Sequence, residues 1–239
     1  MDEREVAVAT MTWARDATEE SSLRESLPAL AALGLAVYVT DGGSGAAFID
    51  FLRALPNFHV CDPPRRGPWR QAAQSLLAAR ASGRPFVLYT EPDKTDFFRL
   101  TLREFISAAP ADEGVGVVLA SRSASSFETF PEFQRRTESA INLCCAEVVG
   151  ARFDYSYGPF LLARALVPHL SGADDAIGWG WRPYAFGTAR RLGYRVAHVE
   201  RHLPCPPEQR EDGPAERLYR IKQLGQNIQG LVGSITGGL

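Results

Sequence analysis

Glu91 and Asp93 stand one residue apart in the stretch Phe86-Val-Leu-Tyr-Thr-Glu-Pro-Asp-Lys94, and they are the side chains here best suited to chemistry. Two carboxylates this close supply hard oxygen donors. Pro92 between them fixes a backbone φ, so both can be aimed at one divalent cation. Such a cation could bridge to the phosphates of a nucleotide and screen the charge that builds on them. A plainer use is also open, because Asp93 or Thr95 can simply cap a following helix.

Other residues could join this chemistry. Asp41 opens the turn Asp41-Gly-Gly-Ser-Gly45, which capping or turn formation alone would explain. Arg66, beside Gly67 in the loop Pro63–Pro68, could pair with phosphate oxygens in bidentate fashion or remain solvated. Asp154, Asp174 and Asp175 are further carboxylates, and Asp174-Asp175 could cap a helix. Trp179, Trp181, Tyr155 and Tyr157 are aromatics of the kind that most simply pack in a core. His59, His169 and His198 read as structural. His202 precedes the charged, proline-rich stretch Leu203–Pro214. That stretch reads as a mobile loop able to close over a ligand.

The elements that must position these groups alternate in type. Val6–Thr10, Leu35–Thr40, Phe58–Val60, Phe86–Thr90, Val115–Ala120 and Tyr194–Val199 are apolar runs that read as buried strands. Between them fall amphipathic helices carrying Leu23, Leu27, Leu30 and Leu33, then Phe48, Phe51, Leu52 and Leu55, then about Trp69–Ala81. Phe97, Leu100, Phe105 and Ile106 predict another. Ser121–Pro131 reads as a polar loop, Glu132–Val149 as a helix, and Phe153–Leu162 as mixed. A helix opens at Gly178-Trp-Gly-Trp181 and runs to Leu192, and a last one carries Leu218, Ile221, Leu224 and Ile228. Alternation of this kind predicts a mainly parallel α/β sheet covered on both faces, with the acidic pair at the carboxyl end of a central strand, where such sheets bind ligands.

The chain has 239 residues, 45% hydrophobic and 23% charged, which suits one domain with a sizeable core. A net charge of −2 gives no support to a nucleic-acid partner. Cys61, Cys144, Cys145 and Cys205 form no zinc-ligand spacing and fit a reducing compartment. The start Met-Asp-Glu-Arg-Glu-Val is too polar for a signal peptide, and no apolar run is long enough to span a bilayer. A cytoplasmic location is the expectation.

Several fragments also fall in a familiar order. They are Val6-Ala-Val-Ala-Thr10, Val37-Tyr-Val-Thr-Asp41-Gly-Gly-Ser44, Arg65-Arg-Gly67, Val87-Leu-Tyr-Thr-Glu91-Pro-Asp93, Asp154-Tyr-Ser-Tyr-Gly158-Pro, and Gly178-Trp-Gly-Trp181 with Ala189–Val196. The set resembles family 2-type glycosyltransferases of the GT-A fold, including the glucosyl-3-phosphoglycerate synthase type, over nearly the whole chain. The resemblance implies a single GT-A domain over 1–239, with a nucleotide-binding half at 1–120 and an acceptor-side half at 121–239. It implies Mn2+ or Mg2+, a UDP- or GDP-sugar donor and a small hydroxyl acceptor, and it is compatible with a homodimer.

By the same resemblance Glu91 and Asp93 match the metal motif and His202 a third ligand. Thr10, Asp41, Arg66, Gly67, Glu91 and Trp181 fall to the nucleotide-sugar, and Asp93, Asp154 and Asp175 to catalysis. Three departures stand out: Glu91 in place of Asp, Arg182 where relatives often carry a carboxylate, and Thr10-Met-Thr-Trp-Ala-Arg15-Asp16 after the first strand. Inverting or retaining stereochemistry stays open. A sugar-phosphate nucleotidyltransferase is the rival enzyme, although no glycine lies within Thr10–Asp16. A non-catalytic nucleotide-sugar-binding module is the rival of another class.

Overall fold

In chain order the elements are β1 (Val6–Thr12), α1 (Ala17–Ala31), β2 (Val37–Asp41), α2 (Ala46–Ala54), β3 (Phe58–Cys61), α3 (Pro68–Ala81) and β4 (Phe86–Tyr89). Then follow α4 (Leu102–Ala108), β5 (Val115–Arg122), α5 (Ala124–Phe127), α6 (Glu132–Val149), β6 (Phe160–Ala163), α7 (Trp181–Arg191), β7 (Arg195–Arg201) and α8 (Pro214–Thr236). The computed structural model describes residues 1–236, and the expected frayed end Gly237-Gly238-Leu239 lies outside them. Among the described residues no helix is long and apolar enough to cross a membrane. The elements form two compact units. One is Met1–Ala111 with Pro159–Pro168, and the other is Asp112–Gly158 with the chain from His169.

In the first unit the strands lie in the order β3-β2-β1-β4-β6. Every pairing is parallel except that of β4 with β6. β1 is buried at all seven positions. Successive side chains leave a strand on opposite faces, so burial at every position requires cover on both. Leu23, Leu27 and Leu30 of α1, Phe48 and Leu52 of α2, and Ala72, Leu76 and Ala79 of α3 are buried at the expected helical spacing. The order has a functional consequence. The chain builds outward from β1 to β2 and β3, then crosses to β4 on the other side of β1. That reversal leaves a crevice at the carboxyl ends of β1 and β4.

The segment after β4 departs from the pattern predicted for it. Phe97–Thr101 is a π-helical turn that leads into α4. The wider turn shifts the helical phase by a residue. Phe98 and Leu102 therefore join Phe97, Phe105 and Ile106 in the core, while Leu100, expected on that face, is 72% exposed.

The second unit pairs β5 with β7 in parallel. Ser121–Pro131, expected as a loop, instead continues β5 to Arg122 and holds α5, whose first turn is capped by the Ser123 hydroxyl. The mixed segment Phe153–Leu162 hides β6, the antiparallel strand of the first unit. Leu203–Pro214 is anchored at its start: Leu203 and Cys205 are buried, with their amides on Ser126 Oγ and Thr129 Oγ1 at 2.9 and 2.8 Å.

α8 packs against α7 and the 3-10 turn Asp175–Gly180 at backbone distance. A Cβ added to Gly230 would collide with the Gly180 carbonyl oxygen, and one added to Gly187 with the Ser234 hydroxyl. The inward face of α8 is thus made of Asn227, Gly230, Leu231, Gly233 and Ser234. Leu218 and Ile221, predicted for that face, point to solvent at 68% and 53% exposure. Small residues win the inner face because only they allow the helices so close.

Candidate functional site

The carboxyl ends of β2, β1 and β4 stand side by side, and each sends a loop to the same edge of the first unit. From β4 comes the acidic tip Thr90-Glu91-Pro92-Asp93. The Thr90 amide donates to the Ala9 carbonyl at 3.2 Å, and Thr10 Oγ1 donates to the Thr90 carbonyl at 2.8 Å. Ser26 Oγ of α1 donates to the Pro92 carbonyl at 2.6 Å. Thr10 and Ser26 are fully buried, so both are positioning residues that fix the tip from two sides. Glu91 is half-buried and Asp93 exposed.

From β2 comes the turn that begins at Asp41, which is only 1% exposed. Its Oδ1 accepts from the amides of Gly43 and Ser44 at 2.7 and 2.6 Å. Its Oδ2 accepts from the hydroxyls of Thr12 and Ser44 at 2.9 and 2.8 Å. Both carboxylate oxygens are therefore spent on the chain itself, and Asp41 shapes the loop. Gln71 of α3 closes the same edge, with Nε2 donating to the carbonyls of Thr12 and Thr40 at 2.8 and 3.2 Å.

Between these loops lies Trp13, 37% exposed. The guanidinium of Arg15 lies 5.5 Å from its ring centroid and that of Arg66 5.3 Å. Arg66 Nε donates to the Gly42 carbonyl at 3.1 Å, which leaves its two terminal nitrogens as donors for an anion. Gly67 follows with φ +107° and caps α3, whose first residue is Pro68. Only glycine accepts that φ cheaply, and Pro68 suits the first helical position. Gly42 has no room for a side chain, since a Cβ there would sit 2.6 Å from Trp13 Cγ. The acidic tip follows β4, whereas Trp13 follows β1 and Arg66 lies in the loop after β3.

Thr10, Asp41, Arg66, Gly67, Glu91 and Asp93 thus lie at the ends and in the loops of β1–β4, on one edge of the first unit. Trp13, Ser26, Ser44 and Gln71 belong with them and were not singled out in the sequence. Trp13 sits inside the stretch noted only as a departure. Gln71 could have been found as a polar residue on the inward, alanine-rich stripe of its helix.

The remaining candidates lie in the second unit. Asp154 is buried in an ion cluster. Arg122 Nε and Nη2 reach its two oxygens at 2.6 and 2.9 Å, and Nη2 also reaches Glu138 Oε2 at 2.6 Å. Asn142 and Ser156 donate to the same carboxylate at 3.1 and 2.9 Å. Burial by itself would raise the Asp154 carboxyl, but the Arg122 charge and these hydrogen bonds hold it down at about 2. The guanidinium is held above its ordinary value, since its two carboxylates outweigh the cost of burial. A carboxylate so engaged is built to hold structure and is a weak base at neutral pH.

Asp174 caps the 3-10 turn through the Ala176 amide at 2.6 Å, and Asp175 beside it is exposed. Trp181, which the resemblance assigns to the nucleotide-sugar, has no exposed surface and fills the core. Trp179 keeps partial exposure and donates Nε1 to the Tyr219 hydroxyl at 2.6 Å. His202 is exposed, with Nδ1 3.1 Å from Ser126 Oγ, so Nε2 is its nitrogen for a metal. Among the described residues no group of three or more His, Cys, Asp or Glu is placed to hold a metal ion.

No protein-family model matches the chain, and no curated protein does. Solved structures do match it. Glucosyl-3-phosphoglycerate synthase from Mycobacterium tuberculosis in complex with UDP is 17% identical with a TM-score of 0.68, over 98% of this chain and 80% of that one. The same enzyme with Mn2+, UDP-glucose and phosphoglyceric acid matches at 0.67 over the same shares, again at 17% identity. With Mn2+, UDP-glucose and glycerol 3-phosphate it matches at 0.65 and 17% identity, over 97% and 80%. The chain therefore has the GT-A glycosyltransferase fold that its ordered motifs implied.

Proposed function

We propose that the protein is a metal-dependent glycosyltransferase that moves a sugar from a nucleotide-diphosphate-sugar to the hydroxyl of a small acceptor. The observation that carries this reading is the acidic tip Glu91-Pro92-Asp93. It is clamped by Thr10 and Ser26 at the strand-order reversal of a GT-A sheet. The solved neighbours hold UDP or UDP-glucose together with phosphoglyceric acid or glycerol 3-phosphate. That favours a UDP-sugar over a GDP-sugar and an acceptor that carries a phosphate.

The donor set fits the cation. Mg2+ and Mn2+ take oxygen ligands, and Mg2+ is commonly held by one or two carboxylates together with substrate phosphates and water. Glu91 and Asp93 would hold it, with substrate phosphates and water completing the shell. When bound, the cation supplies neutralisation of the charge that develops on the leaving diphosphate. Arg66 adds a paired contact to phosphate oxygens. The Trp13 ring, with the guanidinium groups of Arg15 and Arg66 near it, offers a flat, partly exposed surface for the nucleotide.

The test is a thermal-shift screen of UDP-, GDP- and ADP-sugars with and without Mn2+, followed by turnover with the donor that stabilises. One base class should raise the melting temperature in a metal-dependent way, and Asp93→Ala should abolish the metal-dependent part. Equal shifts in that variant would overturn the assignment. Binding without release of nucleoside diphosphate, across a panel of phosphate-bearing acceptors, would leave a binding module in place of an enzyme.

A further inference from the structure

The apolar residues that α8 turns to water form a pattern. Leu218, Ile221, Gly225, Ile228, Val232 and Ile235 follow one another in alternating steps of three and four, which is the a/d repeat of a helix–helix seam. Leu218, Ile221, Val232 and Ile235 are 68%, 53%, 45% and 61% exposed. The unit's own packing uses the opposite face of the helix, through Asn227, Gly230, Leu231, Gly233 and Ser234. A solvated face has no need of a 3.5-residue repeat.

Gly225 is the second, independent observation. Gly230 is glycine because Gly180 presses on it, whereas a Cβ on Gly225 would meet nothing of its own chain. Its φ is not in the left-handed region either. A helix-weakening residue in mid-helix, with no reason inside its own chain, leaves a hole in the seam.

We propose that this face of α8 pairs with the same face of a second copy of the chain, antiparallel, about a two-fold axis passing between Gln226 and Asn227. In that register Leu218 faces the partner's Ile235 and Ile221 faces the partner's Val232. Gly225 receives the partner's Ile228, so the hole and the knob that fills it both lie on one helix and are used twice by symmetry.

Charge selects the direction. Arg217 and Lys222 flank the N-terminal half of the seam, while Gln229 and Thr236 flank the other half. Parallel pairing would set the basic residues of the two copies against one another, and antiparallel pairing sets each beside uncharged side chains.

The experiment is sedimentation velocity and light scattering on the full chain over a concentration series. The expected mass is twice the 26.2 kDa of one chain. Ile221→Asp and, separately, Ile235→Asp should each weaken dimerisation about a hundredfold or more by placing a charge in the seam. Both positions are over half exposed, so circular dichroism should stay native. Lys222→Glu should leave the dimer unchanged, because in this register no basic side chain of the other copy lies opposite it. A monomer at every concentration, or a dimer that survives both aspartates, would overturn the proposal. Tighter association of Lys222→Glu would show a parallel pair and overturn the register. A monomer that co-sediments with phosphatidylserine vesicles through the same stripe would replace the second copy with a membrane surface.

Discussion

Asp154→Asn separates the structural reading of the Arg122 cluster from a catalytic one. Arg122 and the hydrogen bonds around it hold Asp154 at about 2, below its ordinary 3.8. A depression of that size makes ionised Asp154 worth roughly 2 kcal/mol of stability at pH 7. The folded value is depressed, so this stability is fully present above the unfolded pKa and is lost as pH falls through the folded one. About half should remain near pH 3, and little below pH 2. Asparagine keeps the shape but carries no charge for Arg122, whose side chain is 1% exposed and would then face Glu138 alone. Urea denaturation at pH 7, 5, 4 and 3 reads the effect. The variant should unfold at lower urea at pH 7, and its deficit should shrink steadily toward pH 3. Turnover at saturating substrate, well below the melting temperature, should fall less than tenfold. An unchanged urea midpoint joined to a hundredfold or greater loss of turnover would refute this reasoning. It would make Asp154 the proton acceptor after all.

Three further outcomes follow from the same geometry. Ser26→Ala removes the hydroxyl that holds the Pro92 carbonyl. It should cost about 1 kcal/mol of stability and weaken metal-dependent nucleotide binding about tenfold in a Mn2+ titration, because positioning residues behind a metal site act through its ligands. Trp13→Ala removes the ring beneath Arg66. Nucleotide affinity by calorimetry should drop about fivefold, the worth of about 1 kcal/mol of cation–π contact, with little change in melting temperature. Gly230→Ala drives a methyl into the Gly180 carbonyl and should cost about 2–3 kcal/mol. That lowers the melting temperature by several degrees for a chain of this size, whereas Gly225→Ala, with open space around it, should not destabilise the monomer.

The elements that could be read from the sequence are those whose neighbours in space leave a local mark. β1 and β4 are apolar at nearly every position because both faces are covered, and a run such as Val6-Ala-Val-Ala says so without help. The acidic tip was legible for the same reason, since the end of such a strand is where an open sheet exposes its loops. What stayed hidden is set by distance along the chain. Arg122 reads as one more charged residue in a polar loop until its partners 16 and 32 residues away fold onto it. It then extends β5 and commits Asp154 to a cluster that no spacing rule announces.

α8 failed in the opposite sense. Its leucines and isoleucines have a helical period, and a period fixes which residues share a face but not what that face meets. The inner face was awarded to glycine and serine by the close approach of Gly180 and Gly187, a fact about backbone distance. An apolar stripe that its own fold leaves outside is evidence about a partner, and so the misreading of α8 leads directly to the second copy proposed for it.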